Sequence, residues 1–355
     1  MKKIALLSVA AAALFAASCH KSNNNNNSNN VTEQQVITDF VQKVGVPQYQ
    51  NLQDKATTLN NAIVTLNSTP TAANLDAARS AWRDARVAWE TCEGFLIGPV
   101  EDDNYDPNMD TWPVDYLQLD SFINTSTNFQ ESQVTMLSQS LRGFHPIEFI
   151  LWGQNGNATV DSINAKQKQY ILGLSADMLD NIKQLNNSWA TTGGDFQDTV
   201  LKAGMGSLRY TSRKDAMVAI VGGMSDICNE VGTEKMKDPF DSRDSTKTES
   251  PFSHNSMADF TNNIKGAQNV YLCTFNGVTG ASMSSFVSAR NLSLDNTIKQ
   301  QFADAIAALG LVTDNFETAI FTQRPQIQTA MDKITTLQAT LDNQLSTFIQ
   351  TYVKD

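Results

Sequence analysis

The stretch ANLDAARSAWRDARVAWETCEGF, residues 73–95, decides the fold class. Ala78, Trp82, Ala85 and Trp89 recur at spacings of four, three and four, which lines them along one face of a helix. Arg79, Arg83, Arg86, Glu90 and Glu93 repeat that spacing beside the stripe. The same apolar pattern returns in Ile298, Phe302, Ala305 and Leu309. It returns again in Ile334, Leu337, Leu341, Leu345, Phe348 and Tyr352. Strand-like alternation is hard to find, and the chain reads as all-α.

The breaks between stripes divide it. Ser68-Thr-Pro70 separates the first two long helices, and residues 98–113 and 238–251 read as long polar loops. Thr191-Thr-Gly-Gly-Asp195 follows the helical run 165–190 and is the candidate domain boundary. Residues 33–193 and 194–355 are expected to form two helical bundles side by side, each with a long loop.

Residues 1–18, followed by Cys19, read as the signal peptide of a bacterial lipoprotein. Lys2 and Lys3 precede an apolar run from Ile4 to Ala17, and Ala16-Ala-Ser closes on the cysteine. Cys19 is the expected lipidation site. Residues 19–32, which contain HKSNNNNNSNN, have almost nothing apolar to bury and read as a tether. No other apolar run is long enough to span a bilayer. The expected location is the cell envelope, anchored by lipid in the outer membrane and facing the periplasm.

The chain carries 26 Lys and Arg against 37 Asp and Glu, a net charge of −11. Removing Lys2 and Lys3 with the leader lowers 26 to 24 and takes the net charge to −13. Such a balance argues against nucleic acid and anionic lipid headgroups as partners. Cys92, Cys228 and Cys273 are widely spaced and form no CxxC, so they read as core thiols, with one disulfide left open.

RGFHPIEFILWG, residues 142–153, carries one of three histidines in the chain. Pro146 suits a first helical position, which places His145 at or next to the helix start and Glu148 in the first turn. The helix dipole there favours a carboxylate, and that alone accounts for Glu148. As chemistry, His145 and Glu148 share a face and could hold one metal ion. HExxH is absent, and HxxEH fails at Phe149, so the pair is half a coordination sphere at most. Oxygen side chains alternate from Asp102 to Asp110, but Pro107 and Pro113 stand where a calcium loop needs glycine and glutamate. That segment reads as a solvated turn. Ser256 to Asp259 reads as a capping-box variant, leaving Glu249, Ser253 and His254 as a polar group outside a helix.

Taken together, AWRDARVAWETCEGFLIGPV (81–100), TWPVD (111–115), GFHPIEFILWG (143–153) and ESPFSHNSMADFTNNI (249–264) resemble the imelysin-like family. Gly143, His145 and Glu148 match its GxHxxE signature, and the blocks span nearly the whole mature chain. The resemblance implies two helical-bundle halves related by duplication, with the signature near their interface. It also implies a lipoprotein associated with bacterial iron uptake, and founding members were described as peptidases. By carry-over, Glu93, Trp112, His145, Glu148, Ser253, Ser256 and Asp259 are site residues. His254 joins them although the family usually has an acidic residue there.

The leading expectation is a binding protein for iron, another divalent metal or haem, with His145 and Glu148 as metal ligands and iron-uptake components as partners. A metal-dependent peptidase with Glu148 as base is the rival, though no zincin motif supports it. A partner-binding scaffold is the third reading.

Overall fold

Our computed structural model describes residues 31–354. The signal peptide, Cys19 and most of the tether lie outside the described residues. The Ala72–Cys92 helix starts where the Thr71 side chain accepts from the Asn74 amide. The four stripe residues Ala78, Trp82, Ala85 and Trp89 are all buried, as their spacing predicts. Arg86 and Glu90, on the charged flank, are fully buried as well. Charged side chains are almost never fully buried unless paired, so that flank must face something other than water.

This helix packs with Val46–Ser68, which packs in turn against Ala165–Trp189. Val46–Ser68 is the continuation of Glu33–Phe40 through a π-helical turn at Val41–Gly45, and it ends just before Pro70. Ala165–Trp189 begins with a reciprocal cap between Asn164 and Gln167. A second group comprises Arg213–Glu230, Ser256–Leu272, Leu292–Leu309 and Arg324–Thr340. The stripes foreseen at 298–309 and 334–348 are buried, and Tyr352 alone turns outward. A two-stranded hairpin, Thr274–Phe275 with Val278–Thr279, is the β-structure among the described residues. The chain is otherwise all-α.

The two groups meet where Ala72–Cys92 crosses Ser256–Leu272. Gly94 and Gly266 let the backbones touch: a Cβ on Gly94 would stand 2.5 Å from the Gly266 carbonyl carbon, and one on Gly266 would stand 2.4 Å from the Thr91 oxygen. Residues 31–354 thus share a continuous interior, and the break at 190–195 is a turn between Ala165–Trp189 and a short helix, Phe196–Leu201.

Three expectations change. Residues 98–113 contain two short helices, Pro99–Asp102 and Tyr105–Asp110, and bury Met109 and Asp110 rather than leaving them solvated. Residues 238–251 likewise hold most of Lys237–Ser242 and a 3-10 turn, Ser245–Lys247. Ser256 is not a cap; Asn255 precedes the helix without a side-chain cap, and Ser256 is its first residue. Its hydroxyl is instead drawn to the Ser250 amide, 3.0 Å away. Cys92, Cys228 and Cys273 are free and buried. No helix among the described residues is long and apolar enough to cross a membrane.

Candidate functional site

The Phe144–Trp152 helix presents His145 and Glu148 to the interior, and every one of its residues is buried. Its cap is Gly143 and its first residue Phe144, so Pro146 occupies the third helical position. Gly143 has φ +85°, and a Cβ there would lie 2.0 Å from the Met109 carbonyl oxygen. Only glycine lets the helix start against that backbone. Trp82 Nε1 donates to the Phe144 carbonyl at 3.0 Å, which anchors the turn to the Ala72–Cys92 helix.

Glu148 holds a loop rather than its own helix end. Its Oε1 accepts from the amides of Phe252 and Ser253 at 3.1 and 2.7 Å and from the Ser253 hydroxyl at 2.7 Å. Its Oε2 lies 3.4 Å from His145 Nδ1. Three donors on one carboxylate oxygen fix residues 252–253 over the histidine.

The other edge of the imidazole faces a buried charge cluster. His145 Nε2 lies 3.1 Å from Asp110 Oδ1 and 4.0 Å from Glu249 Oε1. Asp110 also takes Arg86 and, at 2.7 Å, Trp89 Nε1. Arg86 further pairs with Glu90, with Glu249 at 3.0 Å and with Asp259 at 3.5 Å. Lys235 Nζ faces Glu93 at 3.2 Å, Glu249 at 3.4 Å, Glu230 at 3.5 Å and Glu90 at 3.8 Å. Asn263 Nδ2 donates to Glu90 and Glu93.

Six buried carboxylates, those of Glu90, Glu93, Asp110, Glu148, Glu249 and Asp259, therefore surround only Arg86, Lys235 and His145. Burial pushes the Glu93 carboxyl up to about 8 against the pull of Lys235. Burial likewise raises Glu249 to about 7, again opposed by Lys235. Asp110 goes the other way, because Arg86 and His145 outweigh its burial. His145 rises to about 9: burial opposes its charge, but bonding to Asp110 and Glu148 prevails. Glu249 Oε2 and Asn263 Oδ1 are buried without a hydrogen-bond partner. Orphaned oxygens amid surplus negative charge call for a cation. Donor atoms of Asp110, His145 and Glu249 lie within 4.8 Å of one another, as do those of Glu90, Glu93 and Asp110.

Above His145 opens a pocket of about 370 Å3, lined by Pro113, Val114 and Tyr116 on one side and by Thr248, Phe252 and His254 on the other. His254 Nδ1 lies 3.0 Å from Glu317 Oε2, while Glu317 Oε1 accepts from Thr248 and Ser256 hydroxyls at 2.9 and 3.0 Å.

The family model for imelysin, peptidase M75, matches residues 45–347. The chain belongs to the imelysin family. It is 32% identical over 321 residues to iron-regulated protein A of Synechococcus elongatus, covering 89% of this chain and 86% of that protein. A crystal structure from Parabacteroides distasonis, of a chain assigned as an iron-regulated protein A precursor, shares the fold with a TM-score of 0.81. It is 24% identical and covers 91% of this chain and 95% of its own. A crystal structure of an imelysin-like protein from Psychrobacter arcticus gives a TM-score of 0.72 at 14% identity, over 88% of this chain and 94% of its own.

In this imelysin, Glu93, His145, Glu148 and Asp259 converge on one buried volume. Trp112 stacks 5.2 Å from Lys235 Nζ, Ser253 binds Glu148, and Ser256 bridges Ser250 and Glu317. His254 stands at the pocket wall, half-exposed, outside the buried cluster. Glu148 is not among the grouped donors; it meets His145 at Nδ1, whereas Asp110 and Glu249 approach Nε2. Sequence reading missed Arg86, Glu90, Asp110, Lys235, Asn263 and Glu317 as site residues. For Arg86 and Glu90 a signal existed: the flank they occupy shares the helical period of the buried tryptophans. Asp110 offered none, since its neighbours pattern like a solvated turn.

Proposed function

We propose that this imelysin-family protein binds an iron cation in the buried cluster, with Asp110, His145 and Glu249 as the donors, and serves iron acquisition from a lipid anchor at Cys19. The observation that carries it is the orphaned Oε2 of Glu249, a residue whose Oε1 lies 4.0 Å from His145 Nε2, in a site with six carboxylates and three cationic side chains. Two carboxylates and an imidazole suit iron or manganese better than a structural zinc site. Trp89 orients Asp110, and Glu148 orients the imidazole from Nδ1, as ligands usually require. Arg86 and Lys235 neutralise the same carboxylates, so an arriving cation competes with them for charge. The relative named iron-regulated protein A agrees with an iron-related role. Partners in iron uptake and an outer-membrane location facing the periplasm belong to the same proposal.

A peptidase would need Glu148 free to take a proton from water, yet its Oε1 already accepts three hydrogen bonds. The test is titration of the metal-stripped full chain with Fe2+ under argon, with Mn2+ and with haem, followed by calorimetry and elemental analysis. One bound cation per chain, lost in Glu249→Gln, is expected. Binding of haem alone, or of nothing, sinks the proposal.

A further inference from the structure

The pocket above His145 is larger than a hydrated cation requires. It encloses about 370 Å3, whereas six waters around an ion fill about 180 Å3 at ~30 Å3 each. Its walls offer aromatic faces, Tyr116 and Phe252, beside polar groups such as Thr246 and Asn155, and no Lys or Arg among the described residues lines it. A polyanionic carboxylate complex would find no fixed cation there; a flat, nearly neutral ring would find surface to bury.

His254 gives that ring something to bond. It has φ +56°, a backbone conformation that side-chain-bearing residues seldom adopt. Its Nδ1 is fixed by Glu317, which in turn is fixed by two hydroxyls. Nε2 is left for a ligand, in the way carboxylate-oriented imidazoles are usually presented. A Cβ on Gly156 would stand 3.3 Å from that nitrogen, so glycine keeps the ring's approach open.

From this geometry we infer that the pocket takes iron's escort, a small catechol-type chelator, with its ring against Tyr116 and Phe252 and a phenolic oxygen bonded to His254 Nε2. The inference rests on the cation-binding reading of the cluster and adds the form in which the cation arrives. Catechol oxygens are hard donors matched to ferric iron, and a single plain catecholate leaves the ferric complex cationic, so a lining without Lys or Arg does not oppose it.

The experiment mixes the full chain with equimolar Fe3+ and plain catechol, removes free ligand on a desalting column, and reads the visible iron–catecholate absorption that stays with the protein. Wild-type protein alone is titrated with Mn2+ in parallel. Coloured complex should be retained by the wild type, and affinity should fall on the order of tenfold in His254→Asn, which tolerates the same backbone, and in Tyr116→Ala. Mn2+ binding without retained colour, or colour unaffected by both substitutions, overturns the inference and leaves the cluster reading standing. Failure of both arms removes the two together. Circular dichroism of each variant establishes that it is folded.

Discussion

His145 Nε2 stands 3.1 Å from Oδ1 of Asp110, the same oxygen that receives the Arg86 guanidinium. One carboxylate thus couples a helix start to the middle of the Ala72–Cys92 helix. Asp110→Asn weakens the bonds from Arg86, Trp89 and His145 while Arg86 keeps Glu90, Glu249 and Asp259, and should cost about 1–3 kcal/mol. His145→Ala should cost less in that background than in the wild type, with a coupling of about 1–3 kcal/mol in a urea-unfolding double-mutant cycle. Additive losses would mean that the two side chains act independently.

Glu148 satisfies three donors from residues 252–253, so truncating it orphans all three. Glu148→Ala should destabilise the protein by about 3 kcal/mol or more. Hydrogen exchange at residues 250–254 should accelerate beyond the global change. A loss below about 1 kcal/mol, the scale of a helix cap, contradicts this clamp.

Gly143→Ala combines a left-handed backbone with a Cβ 2.0 Å from the Met109 oxygen. It should cost about 3 kcal/mol and displace Asp110, which follows Met109 directly. Gly206→Ala is the control: its φ is also positive, at +111°, but no atom lies within 4 Å of the added carbon. Strain alone, about 1 kcal/mol, is expected there. Equal melting temperatures for the two variants would rule out the contact with Met109.

The pH profile follows from raised groups of the cluster, His145 and Glu93 foremost. His145 titrates near 9 when folded against 6.5 ordinarily, so its stabilisation is complete below about 6.5 and is lost as pH rises through 9. Glu93, near 8 against 4.5, binds its proton more tightly when folded, and its contribution also fades as pH rises from 4.5 through 8. The metal-free protein should therefore weaken steadily from pH 6 to 9 in denaturant titrations. Stabilisation by added Mn2+ should run the opposite way, because His145 and Glu249 must shed protons to act as ligands. A flat metal-free profile would show that these groups are not perturbed.

Much of the fold was legible because apolar spacing records which helix face is buried; the stripe from Ala78 to Trp89 sits where its period put it. The site was legible only in part. His145 and Glu148 stood out through Pro146 and the motif they share with a family, while Asp110 hid in a run of acidic and amide residues. Such a run looks alike in sequence whether water or a guanidinium satisfies it. Lys235 was equally silent, since burial of a lysine depends on carboxylates far away in the chain: Glu93 and Glu249 are 142 residues before it and 14 after. Charge pairing across such separations has no period to read.

The contact between Gly94 and Gly266 bears on the stiffness of the proposed cation site. With no side chain between the backbones, the two crossing helices act as one strut, and Glu90, Glu93, Asp259 and Asn263 ride on it at fixed spacing. Asp110 and Glu249 belong to connecting segments on either side. One wall of the cavity is therefore stiff and the other compliant. Adjustment of the proposed cation site to a larger or smaller radius must come from the compliant wall alone, so its discrimination by size would rest on two of the chain's glycines.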